Sequence, residues 1–215
     1  IIEPSGRLPI SVPRHVGQQP TYYNTVRGQH GFRYADLTQE PQFGFGEGLS
    51  YSTVEYSDLH LEQAAVEASG VIRANVTLTN TGTRPALETV QAYVSDLVTS
   101  VTWAEKELKA HVQVQVPAGE RVTVSVEVPA SACTLVTADG RRVVEPGQFE
   151  LLVGPNSRNS ELLRAAFTIG MNLCGLSEPA GPAMTPQASS GWSSRACATI
   201  LSTSCLDIFN AIGQA

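Results

Sequence analysis

Between residues 72 and 169 apolar and polar side chains alternate in six separate runs, and most runs are bounded by turn residues. Ile72, Ala74, Val76 and Leu78 alternate with Arg73, Asn75, Thr77 and Thr79, and Asn80-Thr81-Gly82 follows as a turn. Val90, Ala92 and Val94 form a second apolar face. Leu108, Ala110, Val112, Val114 and Val116 form a third, ended by Pro117-Ala118-Gly119. Val122 to Val128 repeats the pattern up to Pro129, Phe149, Leu151 and Val153 follow Pro146-Gly147, and Leu163 to Ile169 closes the series. A period of two puts one side of each run on a core and the other toward water, as antiparallel strands do. Six or seven short strands in this space predict a two-sheet β-sandwich of immunoglobulin-like shape over residues 54–169. One Cys and one Trp (Trp103) fall in that stretch, so the sandwich must stand on its apolar faces alone.

The flanking regions differ in kind. Residues 1–53 carry seven of the 14 aromatic residues, with much Gly and Pro and little periodicity. Leu8–Val12, between Gly6 and Pro13, reads as one strand, and the rest as a long, packed, aromatic-rich loop region. Residues 170–215 hold only Glu178, Arg195 and Asp207 as charged side chains, and Ser, Ala, Pro and Gly dominate 175–194. This part reads as a low-complexity linker or tail, with a short helix expected over 196–212. The first residues are Ile1-Ile2-Glu3, without a methionine and without a signal-peptide pattern, so the expected reading is a frame that continues upstream.

Function classes fall away on simple counts. Net charge is −6 and no basic stripe gathers the 14 Lys and Arg, which argues against nucleic acid as a partner. No apolar stretch approaches the ~18 residues of a membrane span. Localisation is left between the cytoplasm and secretion. Cys133, Cys174, Cys197 and Cys205 have no CxxC spacing, and His15, His30, His60 and His111 are scattered without an HExxH pattern. A metal site, a cofactor and a catalytic thiol are therefore not expected. His111 alternates with the apolar face of its run and should point outward. Asn75-Val76-Thr77 fits a glycosylation pattern but lies in mid-strand, where chance explains it. Glu105-Lys106-Glu107-Leu108-Lys109 reads as a solvated edge or turn.

One run remains. Phe43-Gly44-Phe45-Gly46-Glu47-Gly48-Leu49-Ser50-Tyr51 is too poorly followed by helix to hold a phosphate. Its glycines permit tight turns while Phe43, Phe45 and Tyr51 either pack on a neighbouring surface or stack on the C–H faces of sugar rings. These three aromatics are the candidate substrate-binding residues. No catalytic residue is assigned.

Several segments in order resemble one family. Pro4-Ser5-Gly6-Arg7-Leu8-Pro9-Ile10-Ser11-Val12-Pro13-Arg14, Pro20-Thr21-Tyr22-Tyr23-Asn24, Arg33-Tyr34-Ala35-Asp36 and the Phe43–Tyr51 run look like the end of the second catalytic domain of glycoside hydrolase family 3. Here Gly44 stands where Pro is common, and Glu47 where an aromatic is common. Asn80-Thr81-Gly82, Val90-Gln91-Ala92-Tyr93-Val94, Lys106-Glu107-Leu108-Lys109, Pro117-Ala118-Gly119-Glu120 and Val144-Glu145-Pro146-Gly147 are similar to the fibronectin type III-like domain of such enzymes. The resemblance implies that residues 1–14 end an α/β sandwich catalytic domain, 15–53 connect, 54–169 form the fibronectin type III-like domain, and 170–215 are a tail. It implies a parent β-glucosidase or β-xylosidase, retaining in mechanism, whose two catalytic carboxyl groups lie upstream. The partners implied are those catalytic domains and a β-linked oligosaccharide or glycoside. The rival expectation is a stand-alone β-sandwich that binds a protein or a carbohydrate.

Overall fold

The computed structural model describes residues 2–26 and 35–170. Phe32, Tyr34, His30, Cys174, Cys197, Cys205, the expected helix at 196–212 and the tail after Gly170 lie outside the described residues. Ten strands follow in chain order: β1 (Val54–Leu61), β2 (Ala65–Glu67), β3 (Val71–Asn80), β4 (Ala86–Asp96), β5 (Glu107–Val116), β6 (Arg121–Pro129), β7 (Leu135–Val136), β8 (Arg142–Val143), β9 (Gly147–Gly154) and β10 (Leu163–Gly170). They make a three-stranded sheet, β1-β3-β6, and a five-stranded sheet, β2-β10-β9-β4-β5, with β7-β8 as a small separate pair. All pairs are antiparallel except β2 with β10.

The alternation in the sequence becomes the core directly. Ile72, Ala74, Val76 and Leu78 of β3, with Val124, Val126 and Val128 of β6, face Val90, Ala92 and Val94 of β4. Phe149, Leu151 and Val153 of β9 and Phe167 and Ile169 of β10 complete this cluster. Phe149 and Phe167 stack with centroids 5.4 Å apart. Each fully buried side chain of this size contributes about 1.5–3 kcal/mol, so no disulfide is needed. His111 is exposed, as its phase in β5 requires.

Two turns show why particular residues are there. Asn80 is fully buried at the end of β3. Its Nδ2 donates to the carbonyls of Arg84 (2.7 Å) and Val116 (3.0 Å), and its Oδ1 accepts from the Gly82 N–H (2.9 Å). One side chain thereby closes the β3–β4 turn and pins it to β5. Between β5 and β6, the Glu120 N–H donates to the Pro117 carbonyl (3.2 Å), and Gly119 takes a φ of 72° that favours glycine.

Three sequence expectations are corrected. The alternation passes over β1, because a bulge between Ser57 and His60 with Asp58 at φ 52° shifts the phase. Val54 and Tyr56 before it, and Leu59 and Leu61 after it, all pack on the core. Leu8–Val12 is not a strand. Only Val12 forms a bridge, to Phe43, although Leu8 and Val12 exchange backbone bonds with Gln42–Glu47. The charge run at 105–109 enters an edge strand, β5, as expected, but it is not solvated. Lys106 is only 5% exposed, and Lys109 pairs with Glu107 at 3.1 Å.

Candidate functional site: the aromatic turn on the outer face of the large sheet

β4 is buried on both faces, which a two-layer sandwich alone does not require. Val90, Ala92 and Val94 serve the main core, while Tyr93 belongs to a second cluster with Leu152 and Leu162. Tyr23, Phe45 and Leu108 pack against that second cluster. The long N-terminal segment thus lies on the outer face of the large sheet and covers it. Phe45 stacks on Tyr23 (centroids 4.1 Å, 19° between planes), and Tyr23 meets Tyr93 edge-on at 5.8 Å. The Tyr23 hydroxyl accepts the Leu108 N–H at 3.2 Å. Burial pushes the Tyr23 phenol up, and burial does the same to Tyr93, so both stay neutral over the ordinary range.

The turn at Phe43–Glu47 is held from below and from the side. Gln91, 3% exposed on β4, donates from Nε2 to the Gly46 carbonyl at 3.0 Å and accepts the Tyr93 hydroxyl at 2.6 Å. Gly46 has a φ of 79°, and a Cβ there would come within 2.1 Å of the Gln91 Oε1. Any side chain at this position is strained. Leu8 donates to the Glu47 carbonyl and accepts from Gly46, both at 2.8 Å, and the Ser157 N–H donates to the Phe45 carbonyl at 3.0 Å. Arg158 reaches Glu47 through an Nε ion pair and donates from Nη2 to the carbonyls of Pro41 (3.3 Å) and Gln42 (3.2 Å).

The three aromatics named from the sequence part company here. Phe45 points inward onto Tyr23. Phe43 is 43% and Tyr51 60% exposed. Tyr51 lies under the Arg84 guanidinium, 5.6 Å from the ring centre, and its N–H donates to Glu3 at 2.9 Å. A second buried ionic group anchors the same segment: Arg7 pairs with Glu88 at 3.1 Å, and Glu88 also accepts the Tyr56 hydroxyl at 2.9 Å. Beside the turn opens a cleft of about 330 Å³, lined in part by Tyr22, Glu40, Glu105, Lys106, Arg158 and Asn159. The Lys106 ammonium donates to Asn159 Oδ1 at 2.6 Å, and burial lowers its pKa. Among the described residues, no group of three or more His, Cys, Asp or Glu is placed to hold a metal ion. No helix there is long and apolar enough to cross a membrane.

Gln91, Lys106 and Arg158 were not singled out from the sequence. Gln91 and Lys106 are polar residues whose environments come from other segments. Arg158 sits in a turn rich in polar residues, where a surface arginine is the default. The usable signal was negative: Val90–Val94 carries polar and aromatic residues between its apolar ones, yet both sets are covered.

Comparison with known proteins agrees with this placement. Residues 88–157 match the Fibronectin type III-like domain family. A periplasmic β-glucosidase of Salmonella typhimurium is 37% identical over 164 residues, covering 72% of this chain and 21% of the relative. A β-xylosidase of Formosa agariphila is 35% identical over 175 residues, covering 78% and 24%. Among solved structures, a β-glucosidase involved in saponin metabolism from intestinal bacteria superposes with a TM-score of 0.74 at 51% identity, covering 78% of this chain and 23% of that one. The chain spans between a fifth and a quarter of the length of these relatives. That distribution does not favour a stand-alone binding module. Over about three quarters of its length the chain is similar to a segment of larger β-glucosidases and β-xylosidases, and its sandwich carries the fibronectin type III-like domain.

Proposed function

We propose that this chain braces the catalytic domains of a longer β-glycosidase and shapes the rim of its sugar pocket. In this reading residues 1–14 end the α/β catalytic domain, 15–53 connect it, 54–169 are the bracing sandwich, and 170–215 form a tail. The parent removes terminal, non-reducing β-D-glucosyl or related residues by the retaining two-carboxyl mechanism, with both carboxyl groups supplied from outside this chain. One observation carries the proposal. Among the described residues, seven of the nine large hydrophobic side chains left exposed lie in the first 51 residues: Ile2, Ile10, Val16, Tyr22, Phe43, Leu49 and Tyr51. A segment so firmly tied to the sandwich on one side, and so apolar on the other, is suited to lie between two bodies. Phe43 and Tyr51 are the rim residues of this reading, and Phe45 is their support.

The test joins the chain to its upstream coding sequence and assays aryl β-glucosides and β-xylosides. Phe43→Ala and Tyr51→Ala should each raise KM by roughly threefold to tenfold, the value of about one aromatic contact, while kcat changes less. The 215-residue chain alone should release no sugar. Turnover by the purified chain, or an unchanged KM in both variants, would overturn the reading.

A further inference from the structure

We propose that Arg158 is a positioning residue: through it the sandwich fixes the Phe43–Glu47 turn and thereby the exposed Phe43 ring. The guanidinium comes from the turn between β9 and β10, more than a hundred residues away in sequence. It touches both flanks of Phe43. On the N-terminal side Nη2 donates to the Pro41 and Gln42 carbonyls, and Nη1 lies 3.5 Å from a Glu40 carboxylate oxygen. On the C-terminal side Nε pairs with Glu47. Both side chains of that last pair are largely buried, at 20% and 17% exposure, so the pair is not a screened surface contact.

The arginine is itself rigidly presented. Its N–H donates to Asn156 Oδ1 at 2.8 Å, its carbonyl accepts the Glu161 N–H at 3.0 Å, and Asn156 Nδ2 donates to Glu161 Oε2 at 2.7 Å. The neighbouring Ser157 N–H already holds the Phe45 carbonyl. A planar fork with fixed donor directions can satisfy two carbonyls and a carboxylate at once, which a lysine ammonium at the end of a flexible stem cannot. Without Arg158, residues 40–43 keep bonds to Val12, Arg14 and Gln18, which belong to a segment lacking its own sheet, and the rest of the turn keeps its Leu8, Gln91 and Ser157 bonds at Phe45–Glu47. Nothing from the sandwich would then restrain Phe43 from its N-terminal side.

The coupling is a property of this chain; only its bearing on substrate rests on the pocket-rim reading above. It is tested on the 215-residue chain by hydrogen–deuterium exchange resolved to single amides. In Arg158→Met the amides of Gln42, Phe43 and Glu47 should exchange roughly tenfold faster or more, while those of Leu151 and Val153 in β9 keep their rates. Arg158→Lys should fall between, because one ammonium restores charge but not the fork. Glu47→Gln, which leaves the carbonyl contacts in place, should give a smaller acceleration at the same amides and guards against a misfolded Arg158 variant. Unchanged exchange at 42–47 in all three variants, or acceleration spread evenly through β9, would overturn the proposal. In the longer enzyme, Arg158→Met should raise KM with kcat retained. A loosened turn with unchanged KM would uphold the coupling and refute the pocket-rim reading, so the two fail separately.

Discussion

Two kinds of buried side chain decide the local behaviour of this protein, those that join segments and those that merely fill space. Gln91 is of the first kind. Replacing it with Ala removes the bonds to the Gly46 carbonyl and the Tyr93 hydroxyl and strands those groups. The expected loss is about 2–3 kcal/mol, read from urea unfolding. Gly46→Ala attacks the same junction from the other side, since φ 79° and the close Gln91 amide both oppose a Cβ. It should cost about 1–3 kcal/mol in the same assay, and a neutral result would mean the turn is not seated on β4. Cys133 is of the second kind. Burial pushes its thiol up to about 11, from an ordinary value near 9. The folded chain therefore keeps a proton that the unfolded chain loses between those two pH values. Stability from this group is complete below pH 9 and falls as pH rises toward 11, by about 3 kcal/mol in all. Denaturation midpoints at pH 8 and pH 10.5 check the sign, with Cys133→Ala flattening the difference. Little of this was visible in the sequence: an isolated Gln in a strand and a lone Cys in a turn look the same whether covered or exposed.

At the level of strands the sequence was far more legible. The alternating runs at 72–79, 110–116, 122–128, 149–153 and 163–169 lie within β3, β5, β6, β9 and β10, because a pleat forces successive side chains to opposite faces. Leu108, expected on the face of Ala110–Val116, instead packs on the outer cluster, because the β4–β5 register shifts at Ala92/Tyr93. β1 escaped because one bulge breaks its phase, and β2, β7 and β8 are two or three residues long, too short for a pattern. β10 offers the clearest energetic test. Phe167 is 2% exposed and stacks on Phe149, and its strand also carries β2 on the other side. Phe167→Ala should cost about 3–5 kcal/mol, measured as a lower denaturation midpoint. A loss below about 1 kcal/mol would show that β10 adds little to the core. Leu8–Val12 teaches the opposite lesson. An apolar run bounded by Gly and Pro has strand chemistry, but it becomes a strand only where a sheet edge is there to pair with it. Here it finds the Phe43–Glu47 turn instead.

For the molecule as a whole, the decisive feature is an unequal N-terminal segment: one side is locked by Arg7–Glu88, Gln91, Tyr23 and Arg158, while the other leaves Ile10, Leu49 and Tyr51 exposed. Side chains that bury little in this chain contribute little to its stability. Ile10→Ser and Leu49→Ser should therefore shift unfolding by no more than about 0.5 kcal/mol, although neither is a polar position by type. A larger loss would mean that these residues already have a partner surface within the chain. Composition and period alone determined the sandwich, its two apolar faces and the absence of a need for disulfides, because those follow from spacing along one strand. Tertiary structure decided which polar residues became interior. Gln91, Lys106 and Arg158 acquire their burial and their hydrogen-bond partners from segments 45 to 117 positions away, and no local pattern encodes a partner at that distance.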